Sequence, residues 1–314
     1  MIIAKCPVRV SLVGGSSDLQ EFLEHNGSGS VISFPCNLYT YITVHENHRK
    51  KYIVNCTNPE EVSSWHDIKN DIVRVVFEEF KPKKHLTVSF NSDIFSVGSG
   101  MAASSSYLIA MIKAMCVLQG REMTDFDICK LALTLERKFN PLTGQQDPYG
   151  CGMSGFKRIY FSKDDDPSFE YLDSSFLEKF DMYLLYTGQT RGSTNILKSI
   201  DIKKLRGIVD LVNVMHQSVL EYDDGTFFEI IAEGWEKKKL SSDLILGNDD
   251  LLSVDTLLSE SENVFAHKLC GAGGGGHFLI FCKKNSPLPE LPKPLNKIAT
   301  KITISLDGLS SLVI

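Results

Sequence analysis

The segment Gly98-Ser99-Gly100-Met101-Ala102-Ala103-Ser104-Ser105-Ser106 follows a strand-like run and a polar loop, and leads straight into an apolar-periodic stretch. Small residues let a backbone approach a ligand closely. A helix N-terminus adds unpaired N–H groups and the positive end of its dipole. That combination suits the phosphates of a nucleotide, with the serine hydroxyls as further donors and one of them a candidate Mg2+ ligand. Taken alone, the loop also fits a plain Gly/Ser link before a helix.

Three phosphate-loop alternatives can be tested on the same residues. The Gly-Lys-Ser/Thr ending of a Walker loop is absent, and so are the His-Arg-Asp and Asp-Phe-Gly triplets of protein kinases. Gly98-x-Gly100-x-x-Ala103 does have dinucleotide spacing. That fingerprint needs an acidic residue about 20 positions on, at the end of a second parallel strand. Here the region is Gly120–Asp127, which opens another helix. A dinucleotide site stays as the second reading.

Gly271-Ala272-Gly273-Gly274-Gly275-Gly276 also spells GxGxxG, but it precedes the strand-like His277–Phe281. So many glycines permit positive φ at successive positions and a backbone pressed against a ligand, at a high entropic cost. Among acidic residues, Asp147 sits in a Gly/Pro-punctuated loop, Thr143–Pro148, where an Asp is ordinarily a turn former. Glu136 reads as an exposed helix glutamate.

The elements that would carry these loops are mixed. Ile2–Val13, Ser30–Phe34, Leu38–Glu46 and Lys51–Asn55 read as strands, followed by a helix at Ile68–Phe80 and a strand at His85–Phe90. Helices are expected over Ala103–Leu118 and Asp125–Phe139, the second capped by Thr124 or Asp125. Pro141, Gly144 and Pro148 then break the pattern. Strands recur at Phe156–Phe161 and Met182–Tyr186, a mostly helical stretch covers Ser193–Leu258, and His277–Phe281 and Ile302–Ser305 close the chain. Without strict βαβ alternation the fold class is α+β. The acidic stretch Ser162–Ser168 divides the chain into domains at 1–165 and 166–314.

Composition narrows the function further. The 314 residues are 43% apolar and 23% charged with a formal net charge of −6, and no basic stripe marks a nucleic-acid binder. The eight cysteines form no CxxC pair, which argues against structural zinc or a disulfide framework. No apolar run nears the roughly 18 residues of a membrane span, and the N-terminus reads as a strand, so a cytoplasmic enzyme without membrane partners is expected. A homodimer is left open.

In chain order, Pro7-Val8-Arg9-Val10-Ser11-Leu12-Val13-Gly14-Gly15-Ser16-Ser17-Asp18, Gly98–Ser106 and Gly271–Gly276 resemble the three motifs of the GHMP kinase superfamily. The Arg-x-Ser-x-x-Gly-Gly-x-x-Asp opening, Gly144-x-Gln146-Asp147 and Thr187-Gly188-Gln189-Thr190-Arg191 are similar to its heptose 7-phosphate kinases. The resemblance implies two domains, ribosomal-protein-S5-like then ferredoxin-like, with the site in the cleft between them. It implies ATP phosphates on Gly98, Ser99, Gly100, Met101, Ala102, Ala103, Ser104 and Ser105, and Mg2+ on Ser104 and Glu136. Asp147 would take the proton of the accepting hydroxyl, with Arg9 beside it and the transferring phosphoryl group.

The same resemblance assigns Asp18, with Gly14, Gly15 and Ser17, to the sugar hydroxyls. Gly273, Gly274 and Gly275 would shape the substrate wall, and Arg191 would hold the substrate's own phosphate. The implied acceptor is the anomeric hydroxyl of a sugar phosphate, a heptose 7-phosphate first and a fucose- or galactose-like sugar second. A non-catalytic sensor is the reading from another class. The family's Gly-Leu-Gly-Ser-Ser is replaced here by Gly100-Met101-Ala102-Ala103-Ser104, Ser16-Ser17 stand where Gly-Thr is usual, and His277 follows the last glycines.

Overall fold

Every even-numbered residue of the first strand, β1 (Ile2–Val13), is buried, yet the two halves of the strand serve different cores. Ile2, Ala4 and Cys6 face one hydrophobic cluster, whereas Val8, Val10 and Leu12 face a second. A register shift between Pro7 and Arg9 separates the halves. Because side chains alternate strictly along a strand, such an irregularity inverts which face each parity occupies. Arg9 is thereby turned toward the helices of the first core.

The computed structural model describes residues 1–94, 99–189, 196, 198–205, 207–290 and 298–314. In chain order its strands continue with β2 (Ser28–Glu46), β3 (Tyr52–Asn55), β4 (Glu60–Val62), β5 (Leu86–Ser92), β6 (Lys157–Ser162) and β7 (Ser168–Tyr171). Then follow β8 (Phe180–Tyr186), β9 (Val264–Leu269), β10 (His277–Lys283), β11 (Ala299–Ile302) and β12 (Ser310–Val313). Among the described residues the first sheet runs β12-β1-β2-β5-β3-β4, with β6 and β7 added beside β2; the second runs β11-β8-β10-β9. Among the described residues the strand pairings are antiparallel except β3 with β5.

The two expected strands Ser30–Phe34 and Leu38–Glu46 are one continuous β2 through Pro35. Residues Ser28–Ser33 pair with β6 and Thr40–Glu46 with β5. Pro35 falls in the gap between these two partners, where its missing N–H leaves no ladder bond unmade. Two pairings run across the expected 1–165/166–314 division: β7 pairs with β6, and β12 returns to pair with β1.

Helices α1 (Gln20–Asn26), α2 (Asp71–Phe80), α3 (Ala103–Gln119), α4 (Asp125–Glu136) and α5 (Gln146–Gly152) belong to the first half. Leu108, Ile109, Ala110, Met111, Ile112, Ala114 and Met115 of α3 are all buried in the first core, so the middle of this helix is surrounded by apolar packing. Thr124 caps α4 by accepting from the Asp127 N–H. The expected break after it is in fact the short α5, and the helix expected to reach Phe139 stops at Glu136. Past β7 come α6 (Ser175–Glu178), α7 (Ile208–Leu220), α8 (Asp224–Ser241) and α9 (Asp249–Ser259); α7 packs on β1 and β2 of the first sheet, whereas α8 and α9 pack on β9 of the second. Ile304, in the expected last strand, makes only an isolated bridge to Cys36.

Candidate active site

Arg9 is the centre of the site. Its side chain leaves β1 on the inverted face, is 5% exposed, and spans two loops that the sequence keeps far apart. Nη1 donates to the Gly100 carbonyl at 2.8 Å, while Nε and Nη2 donate to Asp147 Oδ1 at 3.1 and 2.6 Å. The Arg9 N–H also donates to the Met101 carbonyl at 3.3 Å. A single guanidinium therefore fixes both the glycine loop and the carboxylate. Gly150 of α5 makes room for it, because a Cβ there would stand 3.1 Å from Arg9 Cγ.

Asp147 lies in the first turn of α5, where a carboxylate suits the helix dipole. Among the described residues its Oδ2 has no partner. It opens onto a cavity of about 310 Å³ lined by both halves of the fold. Ser99, Gly100, Ala102, Ala103, Ser104 and Ser105 form one wall, and Gly14, Gly15, Asp18 and Gln146 another. Lys238 of α8 and Lys268 of β9 reach in from the second half. Among the described residues, several buried side-chain oxygens on this lining have no hydrogen-bond partner: those of Ser11, Ser99, Asn140, Thr143 and Gln146. Orphaned polar atoms gathered on one cavity mark a surface shaped for a polar ligand.

The N-terminus of α3 is one end of that surface. Its cap residue, Ala102, has φ 59° and ψ 36° and makes no side-chain capping bond, and Ala103, Ser104 and Ser105 of the first turn line the cavity. Left-handed backbone costs a non-glycine residue about 1–2 kcal/mol. Replacing Ala102 with Gly relieves that strain while loosening the unfolded chain by about 0.4–1 kcal/mol. The expected outcome is a net gain of about 0.5–1 kcal/mol in urea unfolding at unchanged m; a loss would show that the methyl contributes packing instead.

Glu136, read from sequence as an exposed helix residue, is 2% exposed at the end of α4. Burial pushes its carboxyl up to about 7, and the Asp147 charge adds to this, whereas hydrogen bonds from Ser105 and Ser104 oppose it. Ser105 Oγ donates to Glu136 Oε2 at 2.5 Å. The Arg9 charge also favours its ionised form. A hydroxyl beside a carboxylate is the hard oxygen set that Mg2+ takes. Glu136 and Ser104 would offer a divalent cation oxygen donors of that kind.

Other expected site residues land differently. Met101 is fully buried in the second core, so it anchors the loop by its side chain rather than facing a ligand. Ser17 Oγ donates to the Ser30 carbonyl at 2.9 Å and accepts from the Ser30 N–H at 3.0 Å, which makes it a clasp on β2. Gly14 is required by close packing, since a Cβ would stand 2.1 Å from the Ser30 carbonyl oxygen. Asp18 is fully buried and accepts from Gln146 N at 2.9 Å and Nε2 at 2.8 Å. Gly98 and Arg191 lie outside the described residues.

The glycine cluster meets the cavity through Gly271 and Ala272 rather than Gly273, Gly274 and Gly275. Gly273 packs on Ile245, the Gly274 N–H donates to the Ile245 carbonyl at 2.6 Å, and Gly275 packs on Gln189. Gly100 and Gly271 press together, each with φ above 69°, leaving no room for a Cβ on either. His277, kept neutral by burial, closes the contact by donating from Nδ1 to the Ser99 carbonyl at 3.0 Å.

Two cations were not legible as site residues. Lys238 Nζ bonds the Gly271 carbonyl. Lys268 Nζ donates to the Ser11 and Leu12 carbonyls at 2.9 and 2.7 Å, and burial pulls it down to about 8. The only signal for Lys268 was its place just before the glycine cluster. Lys238 sits within an ordinary charged helix.

Residues 68–155 match the family described as GHMP kinases N terminal domain. Over 306 residues, 89% of each chain, the sequence is 25% identical to D-glycero-alpha-D-manno-heptose 7-phosphate kinase of Campylobacter jejuni. It is 28% identical to the mevalonate kinase of Thermococcus sibiricus, covering 76% of this chain and 73% of that one. In fold it is similar to a D-glycero-D-manno-heptose 1-phosphate kinase from Bacteroides thetaiotaomicron, with a TM-score of 0.79 at 20% identity over 100% and 99% of the two chains. The C. jejuni structure described as a sugar kinase gives 0.76 at 24% identity, covering 100% and 98%.

Proposed function

We propose that this chain, a member of the GHMP kinase superfamily, transfers the γ-phosphoryl group of ATP to the anomeric hydroxyl of D-glycero-D-manno-heptose 7-phosphate. The observation that carries the reading is the Arg9–Asp147 pair, bonded through Oδ1 alone, at the meeting of the α3 N-terminus and the cavity. Arg9 orients the carboxylate so that Oδ2 faces the acceptor hydroxyl. That oxygen accepts the hydroxyl proton as the sugar oxygen bonds to the γ-phosphorus and ADP leaves. General-base help of this kind supplies roughly 10²–10⁴ in rate.

The rest of the chemistry is positioning and charge neutralisation. First-turn N–H groups of α3 receive phosphate oxygens, and Arg9, Lys238 and Lys268 face the charge that develops during transfer. Mg2+ held by Ser104 and Glu136 would neutralise phosphate charge when bound. Arg191 is retained as the candidate for the substrate's own phosphate. No described helix is long and apolar enough to cross a membrane. The eight cysteines are free, which suits the reducing cytoplasm as the compartment.

Coupled ADP release over a panel of sugars, sugar phosphates and mevalonate tests the assignment. ADP release is expected with the heptose 7-phosphate ahead of every other acceptor. Preference for free fucose or galactose, or for mevalonate, would replace the substrate named here.

A further inference from the structure

We infer that the side-chain carbonyl of Gln146 reads a hydroxyl of the acceptor substrate, and that Asp18 is the positioning residue that aims it. This rests on the sugar-kinase reading above. The motif resemblance gave the hydroxyl contact to Asp18, but both of its oxygens are already engaged. Oδ2 accepts from Gln146 N at 2.9 Å and Oδ1 from Gln146 Nε2 at 2.8 Å, in a fully buried setting. Gly144 keeps that pairing possible, because a Cβ there would come within 1.9 Å of Asp18 Oδ2.

The pairing settles which way the Gln146 amide points. With Nε2 donating to a carboxylate, Oε1 must turn the other way; the flipped amide would set two acceptors against each other. Oε1 is then a buried acceptor without a partner among the described residues, on the cavity lining. Ser11 Oγ is the second orphan beside it. Both flank the space above Gly15: a Cβ built there lies 3.7 Å from Ser11 Oγ and 3.9 Å from Gln146 Oε1. An amide oxygen can only accept, so its partner must bring an O–H or N–H. A sugar ring hydroxyl next to the reacting one meets that need, since Gln146 directly precedes Asp147 in the first turn of α5.

The test measures kcat/KM for D-glycero-D-manno-heptose 7-phosphate and its singly deoxygenated forms in the wild type, Gln146→Met, Gln146→Ala and Asp18→Asn. A site built to bond a hydroxyl rejects the analogue lacking it, because its own polar group is left unpaired. The wild type is expected to lose about 10–100-fold on one particular deoxy form. Gln146→Met and Gln146→Ala should handle that form and the parent within about twofold of each other. Asp18→Asn frees the amide to turn and should erode the same discrimination through KM more than kcat. If the Gln146 variants keep the full discrimination while ADP release persists, the inference falls and the kinase reading stands. If the wild type releases no ADP with any sugar, both fall together.

Discussion

Replacing Asp147 with Asn is expected to lower kcat by about 10²–10⁴, the range that a positioned general base supplies. The geometry isolates the effect. Both Arg9 bonds end on Oδ1, which Asn retains, so the side chain should keep its place while its second oxygen becomes an N–H2 group that cannot accept a proton. Arg9 also keeps its bond to the Gly100 carbonyl, which limits the structural damage. Loss of the charged partner should cost on the order of 1–2 kcal/mol in stability. ATP affinity, set at the α3 N-terminus, should be nearly unchanged. Single-turnover ADP release with a parallel nucleotide titration checks this; a kcat within tenfold of wild type would remove Asp147 from the chemistry.

Arg9→Lys should be almost as damaging, although the charge is kept. The guanidinium makes three directed bonds at once, two to Asp147 and one to Gly100. An ammonium on a flexible stem is a point charge that can serve one of these partners but not hold both loops in register. We expect kcat/KM to fall about 100-fold for both ATP and the sugar, because the phosphate loop and the carboxylate lose their common anchor. A misplacement of about 1 Å is enough for a loss of that size. The paired measurement of kcat/KM for each substrate decides it. A loss confined to one substrate would mean that Arg9 serves only one loop.

Much of the fold was legible because its signals are local. The apolar run of β1, the apolar middle of α3 and the Thr124 cap of α4 all follow from residue type and period. What could not be read depended on distant partners. Pro141, Gly144 and Pro148 marked a break after α4, yet Pro148, in the first turn of a helix, is well placed. Gly150 and Gly152 are there to admit Arg9 and the Cys129 sulfur, not to end a helix. Glu136 looked exposed because α4 is polar where it meets solvent. Its last turn dips under the serines of α3, which no periodicity announces.

The site shows the same division. Motif order identified Arg9, Glu136 and Asp147 as a set, and the structure brings them to one cavity. It could not separate residues that touch a ligand from those that brace the ones that do. Ser17, Met101 and Gly273–Gly275 turned out to be braces. Lys238 and Lys268, contributed by the other half of the chain, went unread.

The return of β12 to the first sheet has a mechanical consequence. The polypeptide crosses from the first sheet to the second between β7 and β8, and crosses back between β11 and β12. Further stitches join the halves at Asn37 with Thr303 and at Pro35 with Ser305, and Lys268 bolts β9 to β1. Two tethers and a row of bolts along one seam oppose both twisting and gaping of the halves. Access to the cleft must then come from bending of its rim segments, with the catalytic floor acting as a stiff chassis beneath them.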